Sequence, residues 1–92
     1  MVIVGIDPST YTGLVRLEDG EGVGKTVNFP KTDGWRRLQL IADEIDRILA
    51  NWKPDVVVIE GYAYGNHNSL VTLVEIGTII RSVLHGRGQV VS

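Results

Sequence analysis

The sequence contains no cysteine, which excludes disulfide cross-links and thiolate metal centres as sources of stability. No apolar run approaches the roughly 20 residues that a bilayer span needs, so no membrane association is expected. Met1 leads straight into an apolar segment with neither a basic start nor a cleavage-site pattern. That argues against a secretory signal, and a cytoplasmic protein is expected. Excess positive charge is also missing: nine Lys and Arg stand against eleven Asp and Glu, for a formal net charge of -2. Phosphate contacts supply most nonspecific nucleic-acid affinity, and domains that bind DNA are commonly basic. This balance counts mildly against a DNA partner, or it puts the basic residues in a part outside these residues.

What is present describes a folded α/β domain. Ninety-two residues, 43% of them hydrophobic, fit one domain and an ordinary globular composition. A chain this short buries only about 60–65% of the surface its unfolded form exposes, so its stability is marginal without help.

The residues from Val2 to Ile6 form an apolar, β-branched run that stops at Asp7-Pro8, as a buried strand would. A polar turn from Ser9 to Gly13 precedes a second strand from Leu14 to Leu17. Asp19-Gly20 is a hairpin signal. A third, Gly-interrupted strand from Gly22 to Phe29 ends at Pro30, as an edge strand can. Three strands joined by short turns predict an antiparallel meander.

The period then changes. Asp33 is placed to cap a helix from Gly34 to Trp52. In it Trp35, Leu38, Ile41, Ala42, Ile45, Ile48, Leu49 and Trp52 draw one apolar stripe, opposite a charged face carrying Asp43, Glu44 and Asp46. Pro54 stops this helix. Val56-Val57-Val58-Ile59 is a continuous apolar run, expected to be a strand covered on both faces, and it ends at Glu60-Gly61. A polar, aromatic loop follows from Tyr62 to Asn68. A second helix runs from Ser69 to about His85, with Gly77 inside its apolar stripe, where close packing would offset the low helix propensity of glycine. Gly86-Arg87-Gly88 ends it, and Gln89 to Ser92 begins another strand. This order predicts a mixed central sheet with helices on its faces.

Asp7 and Glu60 differ from the other acids because each closes an apolar strand. If those strands are neighbours, the two carboxylates meet at one end of the sheet, within about 8 Å. Like charges so placed share a proton or recruit a cation. Mg²⁺ favours such oxygens, taking one or two carboxylates together with substrate phosphate and water. Spacing alone leaves a plainer account open, in which Asp7 is a turn residue before Pro8 and Glu60 a solvent-facing strand end.

The stretch from Val2 through Gly5-Ile6-Asp7-Pro8-Ser9-Thr10 to Thr12-Gly13 resembles the opening of RuvC-type Holliday junction resolvases. Val58-Ile59-Glu60-Gly61-Tyr62, followed by a loop and an amphipathic helix, resembles the second acidic segment of that family. The wording Glu60-Gly61-Tyr62-Ala63-Tyr64-Gly65 is most similar to phage-like members. The resemblance implies a ribonuclease H-like fold and a nuclease that cuts branched DNA, the four-way junction, as a homodimer. It implies that Asp7 and Glu60 are catalytic metal ligands for Mg²⁺ (or Mn²⁺), where paired ions about 4 Å apart activate water and stabilise the leaving oxygen. It implies that the helix from Ser69 to His85 forms the dimer interface, with Val71, Glu75 and Ser82 on its second face. Tyr62 and Tyr64 fall where the family presents an aromatic residue to DNA, with loop packing as the alternative.

The family carries two further acids after its fifth strand, which have no counterpart here. A single ribonuclease H-like domain over residues 1–92, truncated at its C-terminal side and inactive or impaired in cleavage, is therefore expected. Two other readings stay open: a non-catalytic junction-binding or dimerising remnant, and a fragment of an actin-like or sugar-kinase ATPase, whose opening is similar. His67 could approach phosphate or be a solvated loop residue; His85 suits the end of a helix dipole.

Overall fold

A computed structural model describes residues 1–9, 11–28, 34–60 and 70–92. The elements run β1 (Val2–Asp7), β2 (Tyr11–Glu18), β3 (Glu21–Asn28), α1 (Gly34–Trp52), β4 (Val56–Ile59) and α2 (Leu70–Gly86). Asp33, Phe29, Pro30, Ser69 and the loop over 61–69 lie outside the described residues.

The meander forms as expected. β1 pairs antiparallel with β2, and β2 with β3. Glu18 faces Glu21, which leaves Asp19 and Gly20 as a two-residue connection, with φ 52 and 82. Left-handed backbone at both central positions is the hairpin turn whose twist matches its strands. β2 begins earlier than the sequence implies, at Tyr11 instead of Leu14, because Ser9 and Thr12 close the preceding turn with their side chains. The Thr12 hydroxyl donates to the Ser9 carbonyl at 2.5 Å and accepts from the Ser9 N–H at 3.3 Å. Tyr11, Thr12 and Gly13 are thus released to pair with Asn28, Val27 and Thr26.

The sheet order is β3-β2-β1-β4, with β4 parallel to β1 and Ile6 level with Ile59. Val91 makes one parallel bridge to Val57, so the expected further strand starts on the far side of β4. A left-handed Gly88 (φ 67) turns the chain out of α2. The N–H groups of Gly88 and Gln89 bond back to His85 and Leu84, the pairing of a Schellman cap.

Alternation along each strand sends Val4 and Ile6, Thr12 and Leu14, and Val57 to one face. There they pack with Ile41, Ile45, Ile48 and Leu49 of α1 and with Ile76, Ile80 and Leu84 of α2. Gly77 is buried in α2, in line with close packing at that position. Lys25 of β3 pairs with Glu44 of α1, which also holds Arg47, and Arg87 pairs with Asp46. The hydrogen bond from Arg47 keeps the Glu44 carboxyl below its ordinary range, helped by the charges of Arg47 and Lys25 and opposed by burial. A lowered carboxylate pKa contributes stability above the ordinary range, and that contribution is lost as pH falls through the folded value.

Two expectations are corrected. β4 is covered on one face only: Val57 is fully buried, but Val58 is 43% exposed. Both described helices pack on the same side of the sheet, and no described element lies over the other. Trp35 is not in the buried stripe but 77% exposed. Burial of α1 begins a turn later because its partners on the sheet and α2 meet it from Leu38 onward. At the first turn the near neighbour is polar, since a Cβ on Gly34 would lie 4.0 Å from the Glu75 carboxylate.

Candidate functional site

Asp7 and Glu60 reach the same place by the same rule. Ile6 is buried, so the next residue of β1 turns to the uncovered face, and Glu60 follows half-buried Ile59 in the same way. The Glu60 N–H donates to the Ile6 carbonyl at 3.0 Å, extending the parallel ladder by one step. The two acids are therefore neighbours across strands that lie about 4.8 Å apart, at the C-terminal ends of β1 and β4. Ends of this kind are where ligands gather in mixed sheets. Both residues are exposed.

They close one end of an open depression of about 420 Å³ on the uncovered face, lined also by Gly5, Gly13, Val15, Gly24 and Val58. Glycine makes this depression possible. A Cβ at Gly5 would meet Val15 Cγ1 at 3.2 Å, and one at Gly13 would lie 3.9 Å from the Asp7 Cβ. Side chains there would occupy the floor, tightly at Gly5 and in ordinary contact at Gly13.

Adjacent carboxylates repel unless a proton or cation lies between them. The donor set suits one hard cation, which takes one or two protein carboxylates and completes its shell with phosphate oxygens and water. Among the described residues no group of three or more His, Asp or Glu is placed to hold a metal. Asp43, Glu44 and Asp46 belong to α1, where Glu44 and Asp46 are engaged by Lys25, Arg47 and Arg87. Tyr62, Tyr64 and His67 lie outside the described residues. His85 is exposed in the last turn of α2, close in sequence to Gln89, whose amide bonds the carbonyls of Pro54 and Asp55 ahead of β4. It therefore stands at the opposite end of the sheet from the acids.

Two residues near the site escaped the sequence reading. Arg81 of α2 reaches the Glu60 carbonyl, with Nη2 at 3.5 Å. The available signal was that Arg81 is the one Lys or Arg in α2. Tyr11, assigned to a turn, opens β2 beside the acids and is 64% exposed.

No family model matches the chain. It is 32% identical over 84 residues to the crossover junction endodeoxyribonuclease RuvC of Dictyoglomus turgidum, covering 84% of this chain and 52% of the relative. It is also 32% identical over 80 residues to the enzyme of the same name from Fusobacterium nucleatum, covering 77% and 41%. The chain thus spans about half the length of the relatives it matches. Its fold superposes on Thermus thermophilus RuvC, solved in complex with a Holliday junction substrate. The TM-score is 0.83 at 22% identity, covering 99% of this chain and 62% of that one.

A meander continued by helix, parallel strand and helix, with acids at the ends of two adjacent parallel strands, defines a ribonuclease H-like α/β fold. Within that class the resemblance is to the RuvC-type resolvases, shared in sequence and in fold over the span of this chain. The wording that looked phage-like falls mostly in residues 61–65, outside the described residues.

Proposed function

We propose that this chain is the Asp7- and Glu60-bearing part of a metal-dependent, structure-selective endonuclease that hydrolyses phosphodiesters at four-way DNA junctions, and that as residues 1–92 it cuts slowly. The observation that carries this reading is the pairing of Asp7 and Glu60 on adjacent strand ends, on a fold shared with RuvC. The two carboxylates would hold Mg²⁺ or Mn²⁺, which supplies positive charge against the phosphodiester and lowers the pKa of bound water. Asp7 lies between Gly13 and Glu60 across the strands, so it is placed to serve as the central ligand. Glu60, whose backbone is fixed by the Ile6 carbonyl, would supply the second ligand. The two carboxylates neutralise one divalent ion and leave the phosphodiester charge unmatched, whereas a second divalent ion is left short of protein ligands among the described residues. Slow cleavage follows from that shortage, and a cytoplasmic setting belongs to the same reading.

The test pairs binding and cleavage on one labelled four-way junction and its linear duplex control, with Mg²⁺ and then Mn²⁺. The expected result is preferential junction binding and slow, metal-dependent cutting. Preferential binding with no cutting in either metal would favour the non-catalytic remnant, a reading supported by the lack, among the described residues, of a third acid grouped with Asp7 and Glu60. Nucleotide binding without junction binding would turn the assignment toward an ATPase fragment.

The same reading includes a homodimer through α2. Val74, Glu75, Thr78, Ser82 and His85 are exposed along that helix, while Ile76, Ile80 and Leu84 face the core; the Val71 side chain lies outside the described set. Sedimentation should give twice the monomer mass at tens of micromolar, and an arginine at Thr78 should shift it to monomer. A monomer throughout that range would contradict the interface.

A further inference from the structure

Tyr11 opens β2 two residues before Gly13. Alternate residues of β2 share a face, so Tyr11 lies on the uncovered side with Gly13, which pairs with Asp7. Two residues along a strand span about 7 Å, and a stacked nucleotide step is about 3.4 Å. The root of the Tyr11 ring therefore stands about two nucleotide steps from a phosphate held at the acids.

The root is also fixed. The Ser9 hydroxyl donates to the Tyr11 carbonyl at 2.8 Å, and the Tyr11 N–H donates back to the Ser9 oxygen at 3.1 Å. The next residue, Thr12, is fully buried. Tyr11 is 64% exposed, so an amphipathic aromatic is presented to solvent at the mouth of the site from a fixed backbone. A rigid root lowers the entropy lost on contact, which is why fixed aromatic side chains serve as stacking platforms.

We propose that Tyr11 stacks on a base within about two nucleotides of the phosphodiester held at Asp7 and Glu60. This inference rests on the nuclease reading and adds a substrate feature to it: the flanking nucleotide must be unstacked, as at a branch point. Base stacking tolerates any sequence, so Tyr11 would favour open or strained DNA without choosing a base.

The test uses the chain with four-way junctions carrying 5-iododeoxyuridine at each position within three nucleotides of the branch point. Irradiation should cross-link Tyr11, identified by peptide mass spectrometry. Tyr11→Ala should weaken junction binding about 5- to 150-fold, and Tyr11→Phe should bind within about twofold of the parent because the ring remains. A Phe variant as weak as Ala would overturn stacking in favour of a hydroxyl contact. Parental binding by Tyr11→Ala with no cross-link would overturn the Tyr11 proposal while leaving junction recognition standing. If the parent chain bound the junction no better than duplex, the nuclease reading would fall first and this inference with it. The cross-link is read on the parent protein, so it decides the matter even if the alanine variant folds poorly.

Discussion

Asp7→Asn should reduce junction cutting by about a hundredfold or more, the range lost when a preorganised charge contact at a reacting group is removed, while junction affinity changes by less than about threefold. Asparagine keeps the size and shape of aspartate and removes its charge. Asp7 is exposed and carries none of the core, so the fold has no reason to fail. What disappears is one of the two carboxylates that the described residues offer a divalent ion. Without metal, the variant should be as stable as the parent or slightly more, since a like-charge neighbour of Glu60 is gone. Added Mg²⁺ should raise the melting temperature of the parent by preferential binding to the folded state and leave that of the variant unmoved. Single-turnover cleavage with protein in excess, beside a gel-shift titration, reads the first pair of effects; a thermal melt with and without Mg²⁺ reads the second. Cutting by Asp7→Asn at the parental rate would remove Asp7 from the chemistry.

Much of this site could be read from the residues because both acids terminate apolar strands. A run such as Val2 to Ile6 commits the next residue to the end of a buried strand, and two such runs of similar length place their last residues at one level. Sequence cannot tell whether the strands are neighbours, and that is settled by the pairing of Ile6 with Ile59. Tyr11 was hidden for a local reason. The Ser9-to-Gly13 stretch has turn composition, and the side chains of Ser9 and Thr12 complete the turn early, which frees Tyr11 to join β2. Trp35 and Val58 were misjudged for a different reason. Periodicity reports which residues share a face, but only the neighbours decide whether that face is covered. Trp35 shares the stripe of Ile41 and Ile45 without the partners that bury them. The apolar run through Val58 promises two covered faces, where the described elements supply one.

That one-sidedness leads to a sharp contrast in stability between two adjoining strands. Ile6→Ala should cost about 2–5 kcal/mol, the loss for a large aliphatic side chain truncated in a packed core. Val58→Thr should fall within about 0.5 kcal/mol of the parent, as surface substitutions do. Ile6 is 1% exposed and belongs to the cluster shared by the sheet and both helices; Val58 is 43% exposed on the opposite face. For a chain of this length the total stability is about 5–14 kcal/mol, so the first change removes a large share of it. Ile6 is also the residue before Asp7, and its packing holds the end of β1 at the level of Glu60. Partial unfolding should therefore take metal binding with it, and the Mg²⁺-induced rise in melting temperature should shrink in Ile6→Ala. Urea titrations at low and high protein concentration measure both costs. If Val58→Thr proved as damaging as Ile6→Ala only at high concentration, a second copy would be covering the open face. If it did so at every concentration, the core would not be one-sided, and the depression beside Asp7 and Glu60 would not be open to DNA.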